Sequence, residues 1–312
     1  MKLIIQVPCF NEENFIGETI NQLPRSIDGI ESVEILIIDD GSTDKTIDEA
    51  IKANVDHVIS HSKRKGLAKA FKTGLESSLE KGADIIVNTD ADNQYKSEYI
   101  PSLIEPIMDG SSEMVIGVRD TDSIEHFSRS KKILQKLGSK VVRILSGSNI
   151  SDTTSGFRAY SRESAMRLNQ FNEYTYTLDT IIQAGHKNIT MTSVPIKTNP
   201  DLRPSRLVKS NFSYVSKNAL GIIRIFLIYR PLKVFFFLGA ILFFSGFLLG
   251  IRYLAILFAG NGSGNIQSLI LSSILLITGF HTIIFSFLAD LMSSNRKLLE
   301  ELSYKINKMI SK

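Results

Sequence analysis

Asp90 and Asp92 stand one residue apart shortly after an apolar run, Ile85 to Val87, and Gln94 follows one alternation further on. Side chains two residues apart share one side of an extended chain. Carboxylate and amide oxygens so spaced suit a hard divalent cation, and such cations in turn hold substrate phosphates. Asp and Asn are also ordinary turn formers, so the triplet by itself reads equally well as a solvated turn between a strand and a helix. The elements around it decide.

Apolar runs at Leu3 to Val7, Val33 to Ile38, His57 to Ser60, Ile85 to Val87 and Met114 to Val118 read as strands. Glu12 to Leu23, capped by Asn11, then Thr43 to Ala53, Leu67 to Leu79 and Ser97 to Met108 read as helices. Continuous apolar strands alternating with helices predict an α/β domain on a mostly parallel sheet. Ligands in such sheets bind beyond the carboxyl ends of the strands. Pro8 to Glu12, Asp39 to Asp44, Asp90 to Gln94 and Arg119 each follow a separate strand. That recurrence at one edge favours a nucleotide-phosphate and metal site over unrelated turns.

The net charge of +4 over 312 residues is too small to point to nucleic acid. Cys9, the only cysteine, excludes an internal disulfide and reads as a packed thiol. Met1 to Val7 is too soon broken by Pro8 for a secretory signal, so the catalytic part is expected to stay in the cytoplasm. Leu232 to Ile251 holds only Lys233 as a charge, and Ile266 to Ala289 only His281 as an ionisable group. Both are long enough to span a bilayer, and His281 reads as a neutral side chain packed between helices. Lys and Arg are absent from Ala255 to Asn265 and frequent on the outer flanks, which puts both termini on the cytoplasmic side of a multi-pass membrane protein. Tyr214 to Tyr229 suits an amphipathic interfacial helix. Asn295 to Lys312 reads as a basic amphipathic helix, lying on the membrane or between subunits.

Pro8-Cys-Phe-Asn-Glu-Glu13, Ile38-Asp-Asp-Gly-Ser-Thr-Asp44, Asp90-Ala-Asp-Asn-Gln94 and Asp152-Thr-Thr-Ser-Gly-Phe-Arg158 jointly resemble the motif set of the inverting family 2 glycosyltransferases. The resemblance covers about residues 1–209 and is strongest to dolichyl-phosphate mannose synthases and bacterial polyprenyl-phosphate glucosyltransferases. It implies a GT-A fold, Rossmann-like, with helices on both faces of the sheet. It also implies that Pro8, Phe10, Glu12, Ile38 and Asp40 line the base and ribose pocket of a nucleotide sugar. Asp90 and Ala91 would lie against ribose and diphosphate, Lys65 near the diphosphate, and Asp39 beneath the Gly41 turn. Asp92 and Gln94, with Asp90 beside them, would hold Mg²⁺ or Mn²⁺.

Arg119, then Arg129, Lys132 and Ser155, are the acceptor-phosphate candidates, because guanidinium groups offer bidentate contacts to phosphate. Several close relatives carry more arginines in this segment, and glutamate is frequent where Asp179 stands. Arg119 and Asp152 are the catalytic candidates. A monoalkyl phosphate is already largely dianionic at neutral pH, so Asp152 is expected to position the acceptor rather than deprotonate it. Arg203 and Arg206 resemble a clamp that closes over the diphosphate.

The expected organisation is a cytoplasmic catalytic domain over 1–209, an interfacial helix over 210–230, two transmembrane helices with a short external loop over 231–289, and a cytoplasmic basic helix over 290–312. The implied reaction moves one hexose, with inversion, from a UDP-glucose- or GDP-mannose-class donor to undecaprenyl or dolichyl phosphate in the membrane. A homo-oligomer, with a tetramer as one form, is also implied. A processive polysaccharide synthase is the first alternative, disfavoured because its Gln-x-x-Arg-Trp motif needs a tryptophan and the chain has none. A non-catalytic nucleotide-sugar-binding membrane protein is the second, disfavoured by the intact Asp90, Asp92, Gln94 and Arg119.

Overall fold

The computed structural model describes residues 1–119, 142–143, 146–148, 150–168, 176–200, 227, 231–259 and 266–310. The chain divides into two compact units, Met1–Ile222 with Ser303–Lys312, and Ile223–Leu302. The expected interfacial helix, apart from Leu227, and the expected external loop at 260–265 lie outside the described residues.

In the first unit seven strands form one sheet: β1 Lys2–Cys9, β2 Ser32–Asp39, β3 His57–Ser60, β4 Ile85–Asn88, β5 Met114–Arg119, β6 Arg158–Ser161 and β7 Met191–Ile196. Their order is β3-β2-β1-β4-β6-β5-β7, and every pairing is parallel except those of β6 with β4 and β5. All four residues of β4 and all but the first of β1 are buried, as strands covered on both faces require. Leu3, Ile5 and Val7 pack into one apolar cluster with Ile16 and Ile20 of α1 (Ile16–Gln22) and Leu103 of α4 (Ile100–Met108). On the other face Gln6 meets Gly74 of α3 (Leu67–Glu80) so closely that a Cβ there would fall 2.6 Å from Gln6 Oε1. Helices α2 (Thr46–Lys52), α5 (Arg162–Arg167) and α6 (Thr177–His186) also belong to this unit.

Two local departures from the expected elements matter for the site. Helix α1 starts at Ile16 rather than Glu12, because Asn11 does not cap it. Asn11 sits at φ 55° and accepts a hydrogen bond from the Thr43 N–H at 2.8 Å, tying the loop after β1 to the loop after β2. The second departure is β6, a short antiparallel strand between β4 and β5.

The second unit contains α7 (Pro231–Phe258) and most of α8 (Ile266–Ile310). Both helices are long and apolar enough to cross a membrane, the most apolar 18-residue stretch of each having a mean hydropathy of 2.5 and 2.0. Lipid offers no hydrophobic drive for pairing such helices, so small residues that admit close backbones take that role. A Cβ on Gly239 would fall 2.9 Å from the Gly279 carbonyl oxygen, and the Ser272 hydroxyl donates to the Gly246 carbonyl at 2.6 Å. His281 is not packed between the helices as the sequence suggested. It is exposed, with Nδ1 donating to the Ile277 carbonyl at 2.8 Å. The close face of α8 is given to Ser272 and Gly279, where an imidazole would hold the backbones apart.

Candidate active site

Strand register brings the chemistry to one edge. Cys9 pairs with Asp39 and Gln6 with Asn88, so the loops after β1, β2 and β4 leave the sheet side by side. Because β6 runs antiparallel and opens with Arg158 opposite Asn88, the loop before it, Asp152 to Phe157, arrives at that same edge. Ile196, the last residue of β7, pairs with Arg119, the last of β5.

Among the residues expected to meet the nucleotide, Pro8 and Ile38 pair across β1 and β2 and are buried, with Ile38 packed beneath Gly74. Glu12 is nearly buried, and its N–H donates to the Thr46 hydroxyl at 2.8 Å. Asp39 accepts from the Ser42 N–H at 3.0 Å, under a turn in which Gly41 has φ 78°. A side chain at Gly41 would also meet the Arg64 backbone nitrogen at 2.9 Å, so glycine is needed on both counts. The buried Asp40 carboxylate accepts from the Lys65 and Gly66 N–H groups, each at 2.8 Å, and pairs with His61 Nδ1 at 2.9 Å. Asp40 thus shapes the basic-glycine turn. The Lys65 residue is exposed, and the Arg64 guanidinium lies 4.2 Å above the Phe10 ring.

The acidic loop is pinned from several directions. The Thr19 hydroxyl donates to the Ala91 carbonyl at 3.0 Å, and Asn93 turns the chain at φ 54°. Asn199 bonds the carbonyls of Asn93 and Gln94 at 2.8 and 2.9 Å, and the Gln94 N–H donates to Asp92 Oδ1 at 3.3 Å. Burial, and then the charge of Asp92, push the Asp90 carboxyl up to about 7 despite the cations of Arg119 and Arg158. Crowded carboxylates of this kind fit a divalent cation. Among the described residues no cluster of three or more His, Cys, Asp or Glu side chains forms a closed metal cage. Sites that take Mg²⁺ through one or two carboxylates and complete its shell with substrate phosphates have that same character.

At the residues expected to meet the acceptor, Arg119 is committed to Asp152. Arg119 Nε donates to Asp152 Oδ2 at 2.7 Å and Nη2 to Oδ1 at 3.2 Å, while Nη2 also reaches the Thr154 hydroxyl at 3.0 Å. Burial raises the Asp152 carboxyl, but the Arg119 guanidinium and Thr154 outweigh it and hold the carboxyl below the usual range. Ser155 is fully buried, its hydroxyl accepting from the Phe157 N–H at 3.3 Å. Arg129, Lys132, Arg203 and Arg206 lie outside the described residues.

Residues to which sequence reasoning gave no individual role link these loops. Tyr95, nearly buried, accepts a hydrogen bond from the Gly156 N–H at 3.0 Å, stacks on Phe157 at 5.1 Å, and has the Arg119 guanidinium 6.0 Å above its ring. Asn88 donates to the Gly156 carbonyl at 2.8 Å and the Tyr176 hydroxyl at 2.9 Å. Arg158 is fully buried and spends its donors on neutral acceptors, the carbonyls of Thr153, Ser155 and Thr177 and the Thr180 hydroxyl. His61 follows β3 at the same sheet edge, so the strand-end rule that found Asp40 would also have found it.

The chain is 28% identical over 206 residues to an undecaprenyl-phosphate mannosyltransferase of Micrococcus luteus, covering 63% of this chain and 83% of that protein. It is 28% identical over 226 residues to a polyprenol monophosphomannose synthase of Mycolicibacterium smegmatis, covering 67% and 82%. Glucosyl-3-phosphoglycerate synthase from Mycobacterium tuberculosis, solved with Mn²⁺ and uridine-diphosphate-glucose, superposes with a TM-score of 0.56 at 20% identity over 72% of this chain and 78% of that one. That likeness establishes the fold. The model of glycosyl transferase family 2 matches residues 4–168, and the chain belongs to that family.

Proposed function

We propose that this glycosyltransferase moves a single hexose, with inversion, from a nucleotide sugar to a polyprenyl phosphate held in the membrane. The observation that carries the reading is the convergence at one sheet edge of the acidic Asp90 to Gln94 loop and the buried Arg119–Asp152 pair, in a chain with two apolar helices of spanning length. The relatives named for undecaprenyl-phosphate and polyprenol mannosyl transfer support the acceptor class. UDP-glucose and GDP-mannose define the donor class.

In this reading an acceptor phosphate oxygen attacks the anomeric carbon in line, and the bond to the nucleoside diphosphate oxygen breaks. Asp92 and Gln94, backed by Asp90, would hold Mg²⁺ or Mn²⁺, which when bound offsets the charge of the leaving diphosphate. Asp152 fixes the plane of the Arg119 guanidinium, and Arg119 orients the attacking phosphate together with Ser155, Arg129 and Lys132. Arg203 and Arg206 close over the diphosphate, and Pro8, Phe10, Glu12, Ile38, Asp40, Lys65 and Ala91 form the nucleotide side. Positioning and fixed charge then supply most of the rate. Both termini and the catalytic part face the cytoplasm.

The test is turnover of purified full-length protein with a panel of labelled nucleotide sugars, Mn²⁺, and either undecaprenyl or dolichyl phosphate. A chloroform-soluble product carrying one sugar is expected. Polymer, or binding without turnover, overturns the proposal.

A further inference from the structure

The turn between β3 and α3 carries Lys63, Arg64 and Lys65, all exposed. Three cations in a row are ordinarily a solvated surface of no fixed geometry. Here the backbone beneath them is held from two directions. The Asp40 carboxylate accepts from the Lys65 and Gly66 N–H groups, each at 2.8 Å. Gly41 packs against the same turn, where a Cβ would fall 2.9 Å from both the Lys63 carbonyl carbon and the Arg64 nitrogen. Arg64 therefore starts from a set position, and its guanidinium lies 4.2 Å over the half-buried Phe10 ring. Among the described residues no hydrogen bond or ion pair holds that guanidinium, so the ring is its partner.

His61 completes the support. It is buried, its Nδ1 donates to Asp40 Oδ1 at 2.9 Å, and its Nε2 lies 3.1 Å from the Thr73 hydroxyl of α3. Three donors thus already occupy Asp40, which offers about four lone-pair sites. Asp40 is placed to prop the turn more than to read a base, and His61 fixes the carboxylate so that it meets both N–H groups. The residue carried by this prop is Arg64. A guanidinium is planar and stacks on aromatic faces as a nucleobase does, and bases stack on aromatic and guanidinium planes alike. A base entering between Arg64 and Phe10 needs about 3.5 Å on each face, so the guanidinium must move outward to admit it.

We propose that Arg64 shields the Phe10 ring and moves to the outer face of the base when a nucleoside diphosphate binds, with His61 positioning it through Asp40. The inference rests on the nucleotide-sugar reading above. It makes stacking the contact, which uracil and guanine both offer.

Calorimetry of the full-length chain with UDP, GDP and inorganic pyrophosphate, each with Mn²⁺ and without lipid acceptor, tests it. Arg64→Ala is expected to weaken whichever nucleoside diphosphate the wild type binds by about fivefold. Arg64→Lys should weaken it nearly as much, because an ammonium keeps the charge and loses the plane. Pyrophosphate, which has no base, should bind Arg64→Lys as it binds the wild type. His61→Leu should match Arg64→Ala, and His61→Asn, whose amide nitrogen can stand in for Nδ1, should recover most of the loss. His61→Leu combined with Arg64→Ala should be no weaker than Arg64→Ala alone, as expected of residues that act as one unit. Wild-type affinity in Arg64→Ala, full rescue by Arg64→Lys, or additive losses in the double variant overturn this inference and leave the nucleotide reading standing. Binding of neither diphosphate by the wild-type chain overturns both.

Discussion

Asp90 and Asp92 are a pair of like charges that the proposed metal would bring to use. A carboxyl raised to about 7 holds its proton in the folded chain where the unfolded chain has lost it. The metal-free fold is therefore expected to lose stability from this group as pH rises from about 4 towards 7. A cation that displaces the proton reverses that loss. Mn²⁺ should accordingly raise the thermal midpoint more at pH 8 than at pH 5.5, an effect readable by scanning fluorimetry without any turnover. Asp92→Ala should remove this pH-dependent gain and abolish transfer, with circular dichroism unchanged. Asp152 works in the opposite sense. Its carboxyl is held below the usual 3.8, so the stabilisation it gives is complete above that value and is lost as pH falls through the lowered one. Asp152→Asn leaves the largely buried Arg119 without its counter-charge, at a cost of roughly 3–5 kcal/mol. Urea midpoints should therefore fall sharply at pH 7, and the difference from wild type should shrink towards pH 3.

At the level of elements, the site depends on an antiparallel strand that the sequence does not announce. The runs that became β1, β2 and β4 were legible because strands buried on both faces read as unbroken apolar segments. Arg158–Ser161 was not, since a four-residue strand opening on an arginine has no periodicity to detect. Its arginine is tolerated only because distant carbonyls and a hydroxyl satisfy it. The acidic loop and Arg119 were visible as polar side chains after apolar runs. Tyr95 was not, because its role comes from Gly156, sixty-one residues away in sequence. Asn11 misled for a related reason. Asn is a good helix cap in isolation, yet here its side chain serves a loop from another strand. Tyr95→Phe keeps the ring stack on Phe157 but leaves the buried Gly156 N–H without its acceptor, a loss of about 1–3 kcal/mol. Expected is a lower kcat and a weaker apparent affinity for polyprenyl phosphate, with nucleoside diphosphate affinity little changed by calorimetry. Gly156→Ala should be harsher, because its Cβ would fall 2.9 Å from the Tyr176 hydroxyl and 3.0 Å from Asp90 Oδ1. The Tyr176 ring is itself stacked on Phe71 at 3.9 Å and has little room to retreat.

For the whole molecule, the proposed membrane-bound acceptor makes the orientation of the two apolar helices decisive, since a phosphate presented on one side of a bilayer is out of reach from the other. Lys and Arg are missing between Ala255 and Asn265 but present at Lys233, Arg296, Lys297 and Lys305 on the other flanks. Each such cation near the end of a span favours the cytoplasmic side. Arg252 is the one exception near the far end of α7, and a long side chain there can bring its charge out to the interface. On the proposed topology the catalytic unit, which precedes α7, lies on the same side as residues 290–312. Ser263→Cys in intact cells should react with a membrane-impermeant maleimide, whereas Ser294→Cys should react only after the cells are opened. The reverse pattern would put the sheet edge on the wrong side of the membrane for cytoplasmic nucleotide sugars and would remove the physical basis of the proposed reaction.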